Sequence, residues 1–176
     1  MEPNELDRFE STVLPHLSAA YTLARYLTRD VSDADDVVQE TYLRALRYFG
    51  GFRGETAAES RAWLLSIVRN TTYTWQRRHR HGAGTIEFDE ALHSDAIGDE
   101  HPESVLERAS IRETLAETLA KLPPAFREIL VLRELEGMSY KEISEVVGVP
   151  VGTIMSRLSR ARKRLQETLT GTHEEG

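Results

Sequence analysis

The segment from Gly137 to Gln166 constrains the fold more than any other part of the chain, because it predicts two short helices joined by a tight turn. Ser139 and Glu142 form an S-x-x-E capping box, which satisfies backbone N–H groups at a helix start. Gly148 suits the left-handed position just past a helix end. The second helix carries an apolar stripe at helical spacing, made of Ile154, Leu158, Ala161 and Leu165. Together these signals predict a helix-turn-helix.

The second helix of this unit is strongly basic. Between Pro150 and Gln166 there are five cationic side chains and no acidic one. An ordinary helical hairpin with a solvated charged face is the alternative, but such a face usually mixes both signs to gain i,i+4 pairs. A basic second helix is typical of a helix-turn-helix that enters the DNA major groove.

Composition excludes several classes of protein. A chain of 176 residues fits one domain or two small ones. The absence of cysteine excludes disulfides and thiolate metal sites and favours an intracellular setting. No apolar run approaches the ~20 residues of a membrane span, and the acidic N-terminus lacks a signal-peptide core. We therefore expect a cytoplasmic protein without membrane insertion.

The net charge of −7 conflicts with DNA binding until its distribution is considered. Residues 61–80 contain five arginines and no acid, whereas residues 87–103 contain seven acids and no lysine or arginine. Two basic segments therefore flank an acidic one, and each can form a separate cationic surface.

Hydrophobic periodicity predicts an all-α fold of two small helical domains joined by a flexible acidic linker. The expected boundaries are 1–82 for the first domain, 83–104 for the linker, 105–170 for the second domain and 171–176 for a tail. In the first domain, helices are predicted over about 4–28 with a kink at Pro15, from a Ser32 cap to about Phe49, and over about 59–80. The second domain is predicted to have four helices: one ending before Pro123, one over about 125–136, and the helix-turn-helix.

The predicted helix over 59–80 has an unusual composition. Trp63, Tyr73 and Trp75 lie among arginines together with Asn70. Two tryptophans in one helix are usually core residues, but aromatics interleaved with cations also suit single-stranded nucleic acid, whose bases stack on rings. The roles can divide, with Trp63 in the core and Tyr73 or Trp75 exposed.

The His79-Arg80-His81 sequence is a weak metal motif. Two histidines separated by one residue point apart on a helix, and no further ligand cluster is nearby. We expect no metal site and no cofactor.

Two groups of motifs, three segments in each, resemble bacterial extracytoplasmic-function (ECF) sigma factors across nearly the whole chain. The N-terminal ones are the segments 33–42, 52–54 and 62–70, and the C-terminal ones are 122–128, 137–143 and 152–162. The resemblance implies a protein that binds the clamp helices of core RNA polymerase and directs the polymerase to promoter DNA. It also implies regulation by an anti-sigma factor.

The resemblance assigns residues to three surfaces. Those implied to bind polymerase are Asp35, Asp36, Gln39, Glu40 and Leu43. Those implied to recognise and melt the −10 element are Phe52, Arg53, Trp63, Ile67, Asn70, Tyr73, Arg77 and Arg78, with Ile67 and Asn70 at the pocket for a flipped base. Those implied to bind the −35 element are Thr153, Met155, Ser156, Arg157, Ser159, Arg160, Arg162, Lys163 and Arg164.

Two other functional classes remain to be weighed. A helix-turn-helix regulator that acts without polymerase explains residues 105–166 but leaves the acidic helix and the Trp/Asn/Arg helix unexplained. A DNA-processing enzyme is disfavoured because no serine–arginine or carboxylate cluster has a supporting catalytic context. We therefore expect a protein that is not an enzyme.

Overall fold

The computed structural model describes residues 2–82, 111 and 113–171, and all regular secondary structure in these ranges is helical. The predicted linker over 83–104 and residues 172–176 of the predicted tail lie outside the described residues. Within the described ranges, no helix combines the length and apolar character that crossing a bilayer requires.

The N-terminal part of the chain contains four helices. They are α1 (Pro3–Val13), α2 (Leu17–Thr28), α3 (Val31–Tyr48) and α4 (Ala57–Gly82). A single 3₁₀ turn, Leu14–His16, separates α1 from α2 at the predicted kink around Pro15. Proline lacks the N–H that would continue the α-helical ladder, which explains the break.

The start of α3 differs from the sequence prediction, which placed the cap at Ser32. The cap is Asp30, whose carboxylate accepts hydrogen bonds from the N–H groups of Ser32 and Asp33. Aspartate and serine are comparable caps, and here the helix extends two residues further toward its N-terminus. Arg29, in the left-handed conformation at φ 65°, ends α2 just before this cap.

The N-terminal core forms where α2 packs on α3 and α4. Its largest fully buried side chains include Phe9, Leu23, Leu27, Leu64 and Leu65. Phe9 makes edge-to-face contacts with Tyr42 and Phe49 at centroid distances of 5.2 Å, a favoured geometry for aromatic pairs. This packing fixes the orientation of α4 and therefore which of its side chains face outward.

In the C-terminal part, the described residues form four helices. They are α5 (113–120), α6 (Pro124–Leu130), α7 (Tyr140–Val147) and α8 (Val151–Thr170). Pro124 occupies the first turn of α6, as predicted. The predicted single helix over 125–136 is wrong in its second half, because Val131–Leu135 form a π-helical turn.

The helix-turn-helix made by α7 and α8 is confirmed. Ser139 and Glu142 form both hydrogen bonds of the capping box. Gly148 has a φ of 81°, so a side chain there would be strained. Ile154, Leu158 and Ala161 are buried against the rest of the domain, which turns the opposite, basic face of α8 outward.

The two parts pack against each other, with α4 on α7 and α2 on α6. Arg127 contributes a buried guanidinium at this junction. It donates to the carbonyls of Leu119 and Leu122 at 2.9 and 2.8 Å and to that of Leu27, in the N-terminal part, at 3.5 Å. Burial and the charge of Arg29 lower the pKa of Arg127. The carbonyl groups near the ends of α5 and α2 offset part of this cost through their hydrogen bonds to the cation.

Replacing Ser139 with alanine should reduce the free energy of unfolding by about 1 kcal/mol, because its hydroxyl accepts the Glu142 N–H at the start of α7. Chemical denaturation followed by circular dichroism measures this loss. Thr170→Ala is the matched control, since the Thr170 hydroxyl only donates to a carbonyl in the exposed last turn of α8, and its effect should stay within about 0.5 kcal/mol. Equal losses would contradict the capping role.

Candidate nucleic-acid interface

The outward face of α8 holds the predicted −35 residues. Met155, Ser156, Ser159, Arg160, Arg162, Lys163 and Arg164 are exposed, and Thr153 and Arg157 are half-buried. Because the buried residues Ile154, Leu158 and Ala161 lie on the opposite side of α8, the predicted −35 residues form one surface that can enter a DNA groove. The first turn of α8 adds backbone N–H groups that favour a phosphate.

Arg162 differs from the other cations of α8 because it already has an acidic partner. Its Nε and one terminal nitrogen lie 2.8 and 2.7 Å from Glu134 Oε1. The hydrogen bond to Glu134 raises the pKa of Arg162. Both side chains are about half-exposed, at 49 % and 48 %, so this pair contributes little to stability and a phosphate can replace Glu134.

The outward face of α4 is centred on Asn70. Asn70 and Arg77 are exposed, and Ile67 and Thr74 are partly exposed on the same side of the helix. The Asn70 amide offers both a donor and an acceptor, and Ile67 supplies an adjacent apolar surface. The predicted pocket residues therefore lie together. Arg78 is also exposed and lies 3.6 Å from Glu40 of α3.

Phe52 and Trp63 are more buried than aromatic residues whose rings stack on DNA bases need to be. Phe52 is only 8 % exposed and lies 4.7 Å from the Trp63 ring centroid. Trp63 itself is half-buried, and a Cβ on Gly54 would clash with the Phe52 ring. Phe52 thus packs under the loop, and its predicted contact with the −10 element stays a prediction. The adjacent Arg53 is exposed and donates to the Gly50 carbonyl at 2.7 Å.

Tyr73 and Trp75 are both partly buried, so neither is the exposed ring that a division of roles along the helix would supply. Trp75 packs on the core and its ring stacks on His79 at 3.6 Å. The Tyr73 hydroxyl donates to Glu128 of α6 at 2.7 Å. Burial and the Glu128 charge raise the pKa of Tyr73 well above its usual range.

A cavity of about 250 Å³ lies beside the loop that precedes α4. Its lining includes Ser11, His16, Phe52, Gly54, Thr56 and Ser60. His16 Nε2 lies 3.1 Å from Ser60 Oγ, and burial, aided by the charge of Arg61, lowers the pKa of His16. No sequence motif pointed to His16 or Ser60, because helices distant in sequence bring them together.

The predicted polymerase-binding residues lie along one side of α3. Asp35, Asp36, Gln39 and Leu43 are exposed, whereas Glu40 is half-buried and accepts a hydrogen bond from Arg44 at 2.7 Å. Leu43 is 62 % exposed, and it borders an apolar groove lined by Leu17, Val38 and Tyr42. An exposed apolar residue beside carboxylates suits a basic protein partner with an apolar contact.

The N-terminal end of α3 concentrates negative charge. Burial and the neighbouring Asp30 raise the pKa of Asp33 to about 6, although His79 acts in the opposite direction. The acidic end of α3 therefore loses negative charge as the pH falls toward 6.

Comparison with known proteins identifies both parts of the chain. The family described as Sigma-70 region 2 matches residues 12–82, and Sigma-70, region 4 matches residues 112–165. The RNA polymerase sigma-H factor of Pseudomonas aeruginosa is 36 % identical over 167 residues, which cover 92 % of this chain and 86 % of that protein. The ECF RNA polymerase sigma-E factor of Haemophilus influenzae is 34 % identical over 153 residues, covering 84 % and 79 %.

Solved structures agree with these relatives. The sigma factor RpoE of Bartonella quintana, in complex with the anti-sigma factor NepR, superposes with a TM-score of 0.72 at 29 % identity, covering 94 % of this chain and 98 % of RpoE. CnrH, in complex with the cytosolic domain of CnrY, gives a TM-score of 0.64 at 29 % identity and covers 92 % and 86 %. Because both sigma-70 regions are present in order and the relatives include an ECF factor matched over most of its length, the chain belongs to the ECF RNA polymerase sigma factors.

Proposed function

We propose that this chain binds core RNA polymerase and directs it to promoters, reading the −35 element with α8 and opening the −10 element with α4. The observation that carries the proposal is the exposed face of α3, where Leu43 lies beside Asp36 and Gln39. An acidic surface repels the phosphates of duplex DNA and so contributes nothing to binding the duplex. A polymerase subunit needs one to dock on basic clamp helices.

In the −35 element, α8 reads bases through the residues at its N-terminal half. Met155, Ser156, Ser159 and Arg160 are exposed there, and an arginine can bond guanine O6 and N7 together. Arg157, Lys163 and Arg164 contact phosphates, which position the protein without specifying sequence. Arg162 joins them when it exchanges Glu134 for a phosphate.

In the −10 element, α4 holds the separated strand. Asn70 hydrogen-bonds the edge of a flipped base, Ile67 packs on it, and Arg77 and Arg78 neutralise phosphates. Trp63 and Phe52 act mainly by fixing the loop before α4, and the exposed Arg53 reaches the strand by giving up its hydrogen bond to the Gly50 carbonyl. This division is supported by the exposure of Asn70 and the burial of Phe52.

The partners follow from this function. The protein acts in the bacterial cytoplasm with polymerase and promoter DNA, and residues 83–104 tether the two DNA-reading domains. An anti-sigma factor is a further partner, supported by the likeness to RpoE, which was solved with NepR. The chain itself performs no chemistry, since polymerase supplies the catalytic site.

Reconstitution with purified core polymerase tests the function directly. We expect the chain to co-purify with core and to give run-off transcripts from genomic fragments, whose mapped 5′ ends should share −35 and −10 elements. A helix-turn-helix regulator without polymerase affinity would bind the same duplexes but give no transcript with core alone. That result would overturn the proposal.

Asn70→Ala should impair promoter opening while leaving −35 binding intact, because the amide acts only on an unpaired base. Permanganate reactivity of thymines in the −10 region measures opening on a linear template, and a gel-shift assay of holoenzyme on the −35 duplex measures binding. Unimpaired opening on linear duplex would refute the base-pocket role of Asn70.

Arg160→Ala should cost about 1–3 kcal/mol of binding to the preferred −35 element and relax selectivity at one position. Arg164→Ala is the matched control. Loss of a phosphate contact should weaken binding to all sequences equally and reduce the salt slope by about 0.9. Holoenzyme binding to a panel of single-substituted −35 duplexes measures both effects. An equal loss on every duplex would reassign Arg160 to the phosphate contacts.

A further inference from the structure

The exposed face of α8 has small residues along its centre and long side chains at its edges. Each residue of a helix advances about 100° around the axis, so Met155 and Arg160 lie about 140° apart. The positions between them are Gly152, Ser156 and Ser159, and all three are exposed. The centre of the face is therefore shallow, and Met155 and Arg160 extend furthest from its two edges.

Gly152 keeps the first turn of α8 open to a ligand. A Cβ added at Gly152 would have no other part of the described structure within 4 Å, so this glycine is not needed for packing inside the domain. A residue without a side chain allows the backbone to approach a ligand closely. The first turn of α8 can thus lie near the floor of a groove, with Met155 directly beside it.

Met155 forms an apolar edge of this face together with Val151, which lies one turn earlier. Met155 is 53 % exposed and Val151 is 38 % exposed. The next residue, Ile154, is buried in the core, whereas neither Met155 nor Val151 is among the apolar residues that pack on it. The surface of the apolar edge is therefore available to a ligand.

The surroundings of the apolar edge suit nucleic acid better than a protein partner. A protein contact needs a contiguous apolar patch, and this edge holds only two apolar side chains. Hydroxyl groups and the Arg160 guanidinium lie on the same face. Between Pro150 and Gln166 the helix carries five cationic side chains and no acidic one, which favours a polyanion.

The major groove of DNA offers one apolar group on a base edge, the C5-methyl group of thymine. Adenine, guanine and cytosine present only hydrogen-bond donors and acceptors there. The Met155 side chain has no donor and only a weak sulfur acceptor, so it cannot satisfy those groups. Its unbranched, flexible thioether can follow the position of a methyl group. Thymine is therefore the base that this side chain can recognise.

We infer that Met155 selects a thymine in the −35 element by packing on its C5-methyl group, and that Val151 extends this contact by one turn. The contact rests on the proposed function, in which α8 lies in the major groove of that element. Arg160 reads a guanine through hydrogen bonds from the opposite edge. The two edges of α8 thus specify different base pairs by different chemistry.

Deoxyuridine tests the contact, because it differs from thymidine only in lacking this methyl group. Holoenzyme is titrated by fluorescence anisotropy into −35 duplexes, taken from the mapped promoters, in which each thymine on either strand is replaced in turn by uracil. We expect a loss of affinity of about threefold to fivefold at one position or two adjacent positions, as burial of one methyl group predicts. Tolerance of uracil at every position, or an element without an A·T pair, would overturn the contact.

Substitutions of Met155 link the methyl group to this side chain. Met155→Ala should bind the thymine and uracil duplexes equally at the sensitive position, while its preference for guanine at the position read by Arg160 remains. Met155→Leu should retain most of the discrimination, because leucine keeps the apolar surface. Undiminished discrimination by Met155→Ala would overturn the contact, as would an equal loss of affinity for both duplexes.

The matched control is Leu169→Ala, which truncates another exposed apolar residue of α8. Leu169 is 55 % exposed and lies in the last turn of the helix, far from the residues assigned to the −35 element. Its ratio of thymine to uracil affinity should equal that of the unsubstituted chain. A ratio that falls as far as in Met155→Ala would overturn a specific role for Met155.

Failure of this contact and failure of the proposed function give different results. Holoenzyme that forms and transcribes but tolerates uracil would overturn the thymine contact alone. A chain that forms no holoenzyme would overturn the proposed function. In that case the uracil series is applied to duplexes that the chain alone selects from a random pool, and the same loss at a thymine would support the contact.

Discussion

The structure depends on one helix, α4, whose 26 residues serve three different environments. Leu65 and Val68 point into the N-terminal core, Arg69 points toward the C-terminal domain, and Asn70 points outward. Because each residue advances about 100° around the axis, neighbours in sequence necessarily belong to different surfaces. The packing of α2 and α3 on α4 therefore determines both where the core lies and which amide is exposed at the surface.

Charge is distributed so that a chain of net charge −7 still presents cations to DNA. The exposed face of α8 keeps Arg160, Lys163 and Arg164 available, whereas Arg61 and Arg69 are paired with acids of the other domain. Local fields, and not the total charge, decide where a polyanion binds. The arrangement also leaves the acids of α3 on a separate surface, where they suit a basic protein partner.

The sequence predicted correctly those features that interactions between near neighbours in the chain determine, such as helix caps and turns. The capping box at Ser139, the left-handed Gly148 and the proline at the start of α6 are all present, since each involves residues within a few positions. Two local predictions were wrong because conformations of nearly equal free energy competed. Asp30 caps α3 in place of Ser32, and a π-helical turn follows α6.

Contacts between residues distant in sequence could not be predicted in this way. Arg69 and Glu128 are 59 residues apart, and no spacing pattern in the sequence indicates that they meet. The burial of Phe52 was missed for the same reason, because Trp63 and Gly54 define its environment only after folding.

The Glu128 contact joins the two parts of the chain through a buried ion pair with Arg69. A buried ion pair gains its attraction at the expense of hydration, so its net contribution to the packing of the two parts is small. Removing only Arg69 is costly, because the Glu128 carboxylate would then be buried and uncompensated.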